Sequence, residues 1–172
     1  SYSGQWCSWW WEYYYCGLAF DTMNIFRVHR DDPNVWAWMP SILDRIHAFC
    51  VKYDTETSPD DAVNIVRTWF SLNDPRLGLW GGVVDDRLVA HIFATPEPSS
   101  SDVWRYILIR QAEIDEGIDA REESPVAMNW IKDWATSLGL KKIEMLTHRS
   151  AEAMSRRWGF TPYKSLMLLE LE

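Results

Sequence analysis

The chain has 172 residues and a mass of 20.2 kDa, enough for one domain with a real hydrophobic core. Its apolar (47%) and charged (24%) fractions are those of a globular protein, and no run approaches the roughly 20 apolar residues of a membrane span. The formal charge of −8 argues against a general nucleic-acid binder, which presents a basic face, and suits an amine-bearing or basic substrate.

Residues 1–22 differ from the rest. Trp6, Trp9, Trp10, Trp11, Tyr13, Tyr14 and Tyr15 crowd a short segment that also holds Cys7 and Cys16. The segment is expected to be an appendage or extension, an aromatic arm for a protein partner or homodimer, or an extra hairpin on its own domain. The domain proper is expected over residues 23–172. With no basic, apolar and small-residue leader pattern at the start, a cytoplasmic location is the expectation.

Met23 to Val28 reads as a first strand. After Asp31-Asp32-Pro33 a helix is predicted from the stripe Val35, Met39, Ile42, Leu43, Ile46 and Phe49, with an interruption at Pro40. Lys52 to Thr57 reads as a polar loop. Ser58-Pro59-Asp60-Asp61 opens a second helix whose apolar face is Ala62, Ile65, Val66, Trp69 and Phe70, and Asn73-Asp74-Pro75 stops it. Leu77–Val84 and Leu88–Thr95 are predicted strands joined by the hairpin signal Asp85-Asp86-Arg87. Pro96 to Ser101 is a loop, and Val103–Ile114 a long strand with apolar side chains on both faces, hence a central one.

In the last third, Ser124-Pro125 reads as an N-cap followed by proline at the first helical position. Ala127, Met128, Ile131, Ala135 and Leu138 recur at helical spacing, and Gly139 closes that helix. Lys142–Thr147 alternates as a strand. Ser150 caps a last helix carrying Ala151, Met154 and Trp158, which Gly159 ends, and Tyr163 to Leu171 is a final strand. The whole is an α/β domain: one mixed central sheet with helices on both faces.

Simple chemical signatures are missing. Cys7, Cys16 and Cys50, with His29, His47, His91 and His148, show no zinc spacing, so no metal is expected. Gly78, Gly81 and Gly82 lie in a strand and precede no Gly-Lys-Ser/Thr, and no Gly-x-Ser-x-Gly elbow exists. Arg156-Arg157, Lys141-Lys142 and Lys164 read as a solvated face.

From Met23 to Glu172 the element order, their lengths and the Arg157-Trp158-Gly159-Phe160 turn resemble the GNAT superfamily of N-acetyltransferases, including its small phage and bacterial members. The resemblance implies that the fourth and fifth strands splay apart to admit acetyl-CoA. Its pantetheine arm would add to the fourth strand beside Ala112 and Ile114, with the pyrophosphate at the start of the next helix. The family's loop Arg/Gln-x-x-Gly-x-Gly/Ala falls on Arg121-Glu122-Glu123-Ser124-Pro125-Val126. Arg121 is kept, but Ser124 and Val126 replace the small positions that let backbone approach phosphate. Glu122 and Glu123 add like charge, worth about 1–3 kcal/mol at intermediate dielectric against an anion; acidic residues also suit any helix N-terminus. Arg149 stands where the family has an asparagine, and Ser155 where many members carry the tyrosine that protonates the departing thiolate.

Acetyl transfer needs an amine stripped of its proton. Glu113 and Asp115 end the long strand on one face with Gln111, and a desolvated carboxylate there could act as base. A solvated strand end is the plainer reading of the same residues. His91 is a second candidate base or a satisfied core histidine, and His148 a third candidate or a capping residue. Trp80, Trp104 and Tyr106 are candidate acceptor-pocket walls or ordinary core. Two functions therefore stand side by side: an N-acetyltransferase moving the acetyl group of acetyl-CoA to an amine of a small molecule or peptide, and a catalytically inactive GNAT-like binding or structural protein. A transferase acting on a nucleobase amine is the remoter third.

Overall fold

The computed structural model describes residues 22–147 and 151–162. The five strands β1 (Asn24–Arg27), β2 (Gly78–Val84), β3 (Arg87–Glu97), β4 (Tyr106–Ile114) and β5 (Ile143–Met145) form one sheet in that order. The first four run antiparallel, and β5 is parallel to β4. The helices are α1 (Pro33–Trp36), α2 (Met39–Tyr53), α3 (Pro59–Ser71), α4 (Glu123–Ser137) and α5 (Ala151–Trp158). This is the mixed α/β arrangement expected from the sequence. The expected arm, the cap at Ser150 and the strand Tyr163–Leu171 fall on residues 1–21, 148–150 and 163–172, outside the described residues.

The predicted first helix is two. Pro40 has no amide to donate and would clash with the carbonyl one turn back, so the chain breaks at Ala37-Trp38 and restarts with Pro40 inside the first turn of α2. α2 then runs on to Tyr53, so Lys52 belongs to its last turn and not to a loop. Ser58 caps α3 through Asp61 N–H at 3.2 Å. Asp85 and Asp86 both take left-handed φ values (48° and 56°), the geometry of a type I′ hairpin.

β3 is longer than predicted and absorbs Pro96. The strand tolerates it because the amide of the opposite residue, Ile107, turns away to Lys142 O of the β5 side, which makes this a non-hydrogen-bonded pair. The nitrogen of Pro96 therefore faces the β2 side, and β2 has already ended opposite Ala94. β4 in turn starts three residues late, because the Ser101 hydroxyl takes the amide of Val103 into a turn and leaves that side chain exposed.

Each face of the sheet carries its own core. α2 and α3 bury Ile42, Ile46 and Val66 against Leu79 and Phe93. α4 buries Met128, Ile131 and Trp134 against Trp80, Ala94, Ile107 and Ile109. Each such aliphatic side chain contributes about 1.5–3 kcal/mol.

Candidate active site at the divergence of β4 and β5

β5 pairs with β4 only through Ile107, Leu108 and Ile109. Beyond that, among the described residues, Arg110–Ile114 has β3 on one side and no strand on the other. The parting coincides with a bulge. Ala94 pairs with Ile109 and Phe93 with Gln111, so Arg110 is an extra residue in β4. A bulge bends its strand and re-aims the side chains beyond it. Ile107 and Ile109 face α4, yet after the bulge it is Ala112 and Ile114 that pack on the α4 side. Gln111 and Glu113 turn to α2, where Gln111 meets Cys50 and Glu113 meets Lys52.

The opening continues into a cleft of about 130 Å³ between the sheet, α4 and α5. Ala112, Glu113 and Ile114 form its β4 wall, Glu123 and Ser124 come from α4, and Met154, Arg157 and Trp158 from α5. Trp80 and Trp158 both line it, and the Nε1–H of each is buried with no acceptor among the described residues. Trp104 and Tyr106 do not line it: Trp104 packs on the α4-side core, and Tyr106 carries Lys142 Nζ 5.3 Å from its ring centroid. A wider groove of about 340 Å³ between α4, the start of β5 and the end of α5 is lined by Lys132, Lys141, Lys142, Thr136 and apolar side chains, with no carboxylate among the described residues.

On the α2 face both candidate carboxylates are ion-paired. Glu113 Oε1 lies 2.8 Å from Lys52 Nζ, and Asp115 Oδ1 lies 2.7 Å from Arg45 Nη1. Glu113 lines the cleft, while Asp115 does not. Arg45 also donates to the Val89 carbonyl and, from Nε, to His91 Nδ1 at 3.3 Å. With Nδ1 accepting, Nε2 carries the hydrogen and donates it to Gln111 Oε1 at 2.9 Å. His91 is 1% exposed, and burial pushes its pKa down to about 4. Both ring nitrogens are engaged, so His91 is a neutral strut and has no lone pair to offer as a base.

The start of α4 differs from the prediction. Helical geometry begins before Ser124, which makes no cap. Instead Asp119 Oδ1 accepts the amide of Arg121 at 3.1 Å, and the Ser124 amide goes to the Ala120 carbonyl at 2.9 Å. Pro125, having no amide, fits in this first turn without loss. Arg121 folds back on Asp119, Nη2 to Oδ2 at 2.6 Å, which holds the Asp119 carboxyl below the usual range. Arg121 and Val126 are exposed and lie outside the cleft wall, whereas Ser124 is part of it. Ser155 is exposed on α5 and also outside the wall; α5 sends Met154, Arg157 and Trp158 inward instead. Arg149 and His148 lie outside the described residues. Among the described residues no group of three or more His, Cys, Asp or Glu could hold a metal ion, and no helix is long and apolar enough to cross a membrane.

Sequence reasoning missed Arg45 and Lys52. They share one face of α2 with Phe49 at spacings of four and three, which was the available signal.

A mixed sheet whose fourth strand bulges and parts from the fifth can be compared with known folds. The fold is that of the GNAT acetyltransferases. A predicted acetyltransferase from Clostridium acetobutylicum, solved with acetyl-CoA, superposes with a TM-score of 0.59 at 12% identity, covering 87% of this chain and 96% of its own. The ribosomal-protein-alanine N-acetyltransferase of Brucella melitensis gives 0.54 at 13% identity over 87% and 99%. An aminoglycoside acetyltransferase from an uncultured soil metagenomic sample gives 0.57 at 10% over 88% and 98%. At these identities the likeness is one of fold. No family model matches the sequence, and no curated protein matches it.

The donor implied by this fold is acetyl-CoA, and its two ends fare differently. Among the described residues the β4 edge has no partner strand beyond Ile109, and Trp80 and Trp158 of the cleft wall have indole N–H groups without an acceptor. Both features suit a pantetheine arm, which carries amide donors and carbonyl acceptors. The start of α4 suits a pyrophosphate poorly. One amide is spent on Asp119, another on Ala120, Pro125 has none, and Glu122 and Glu123 stand beside the two that remain.

Proposed function

We propose that the protein is an N-acyltransferase that moves the acetyl group of acetyl-CoA to an amine of a small molecule or peptide. The observation that carries this reading is the bulge at Arg110, which frees the β4 edge where β5 departs. The thioester supplies the acyl electrophile and the leaving thiol. The chain supplies the rest. The backbone of Arg110–Ile114 offers an extended edge on which the arm adds as a further strand. Glu113, whose carboxylate stands on the α2 face of the freed β4 edge, across the sheet from α4, receives the proton of the acceptor ammonium. Lys52 holds that carboxylate in place until the acceptor ammonium replaces it. Asp115 acts one step back, fixing Arg45 and through it the α2 face. Among the described residues Ser155 stays outside the cleft wall, and the departing thiolate takes its proton from solvent in this reading.

The acceptor class is tested by incubating the full chain with acetyl-CoA and a panel of polyamines, aminoglycosides and peptide N-termini. Mass spectrometry should show one added acetyl group on at least one class. The Glu113→Gln variant should lose about 100-fold in rate. Transfer at undiminished rate by that variant would remove Glu113 from the mechanism.

A second reading, a GNAT-fold binding or structural protein without transfer, is favoured by the start of α4, where charge and amide use oppose a pyrophosphate. Its partner surface would lie in the aromatic residues 1–22. No transfer to any amine, together with no coenzyme binding at millimolar concentration, would select it.

A further inference from the structure

The site that a helix N-terminus offers to an anion consists of free amides and the positive end of the helix dipole. At α4 that offer is partly taken up by the chain itself, in the turn that leads into the helix. The Asp119 carboxylate accepts the Arg121 amide at 3.1 Å and receives the Arg121 guanidinium through both Nε, at 3.0 Å, and Nη2, at 2.6 Å. It is an internal anion seated at the start of the helix. Arg157, on the α5 side of the cleft, also acts on Asp119 and lowers its pKa further. Of the described cations near this turn, Arg121 is thus spent on Asp119, while Arg157 adds only its field.

The amide count agrees with the charges. Ser124 N–H donates to Ala120 O, Pro125 has no N–H, and Arg121 N–H is bound to Asp119. Glu122 and Glu123 keep their amides but bring two carboxylates, and Glu123 lines the cleft mouth. Against this, the β4 edge and the Trp80 and Trp158 indoles depend on no phosphate at all.

We infer that Asp119 closes the phosphate position of this fold, so that a thioester donor is gripped by its pantetheine arm alone and the nucleotide end adds no affinity. The inference rests on the acyltransferase reading and specifies its donor: any acyl thioester with a pantetheine-like arm, with or without a nucleotide.

Calorimetric titration of the full chain with acetyl-CoA and with S-acetylpantetheine tests this, on the wild type and on Asp119→Ala. The two wild-type dissociation constants should agree within about threefold. Asp119→Ala should tighten acetyl-CoA about tenfold or more, because it frees one amide and the Arg121 guanidinium and removes a negative charge, and should leave S-acetylpantetheine unchanged, which also reports that the variant is folded. Wild-type preference for acetyl-CoA by 30-fold or more overturns the inference while leaving the acyltransferase reading intact. So does an Asp119→Ala variant whose coenzyme affinity does not rise. Failure of both thioesters to bind the wild type overturns the inference and the reading together.

Discussion

Lys52 Nζ lies 2.8 Å from Glu113 Oε1, joining the last turn of α2 to the stretch of β4 that β5 has left. The Lys52 ammonium is exposed, and the hydrogen bond to Glu113 raises its pKa, with Tyr53 and the Glu113 charge adding to the effect. The pair therefore holds an ammonium against a carboxylate on the α2 face of the β4 edge that β5 has left, which is the arrangement an amine acceptor would have to reproduce.

Exchange of the two ammonium groups has a kinetic consequence. Lys52→Ala removes the internal competitor and should lower KM for the amine several-fold with little change in kcat, whereas Glu113→Gln should lower kcat about 100-fold. Steady-state kinetics with the best amine of the panel separates the two. Equal loss of kcat in both variants would show that Lys52 does more than occupy the position.

The buried His91 makes stability depend on pH. Its folded pKa of about 4 lies below the usual 6.5, so between those values the unfolded chain binds the proton and the folded chain does not. Stability present at neutral pH is lost as pH falls through that window. The groups facing the ring are Gln111, Arg45, Glu113 and Asp115, and burial outweighs their sum. Urea unfolding at pH 7 and pH 5 should show a loss of about 2 kcal/mol from this group. His91→Gln should lack that increment; an unchanged loss in the variant would place its origin elsewhere.

At Gly78 the Trp134 side chain of α4 comes up against the sheet backbone. A Cβ there would stand 2.4 Å from Trp134 Cζ3, and the Trp134 ring is fixed edge-on against Trp80 at 5.6 Å. Gly78→Ala should cost about 1–3 kcal/mol by overpacking. In a Trp134→Leu background the same substitution should cost much less, which a double-mutant cycle in urea measures.

The order of elements was legible because its punctuation is chemical. Ser58 caps α3, Asp85-Asp86 make the hairpin, and Gly139 and Gly159 take the positive φ of helix ends (73° each). The bulge at Arg110 was not read, since strict alternation puts Ile109 and Glu113 on one face. Before Arg110 apolar residues occupy both parities (Ile107, Leu108, Ile109) and after it only one (Ala112, Ile114), so the pattern alone does not mark the bulge. The start of α4 was misread for another reason. Ser124-Pro125 satisfies the local capping rule, but Asp119, two residues before Arg121, had already begun the turn. Of the candidate site residues, Ala112, Glu113, Ile114 and Ser124 reach the cleft wall, because β4 and the first turn of α4 carry them there. Arg121, Val126 and Ser155 stay outside it, placed by local hydrogen bonds or helix phase that the alignment of motifs does not contain.

Amide hydrogen exchange of the full chain with and without acetyl-CoA tests the central claim most directly. An arm that adds to β4 as a strand must protect amides within Arg110–Ile114, while the amides of Glu122 and Glu123 exchange as before. Saturating acetyl-CoA that leaves Arg110–Ile114 unprotected would contradict the account.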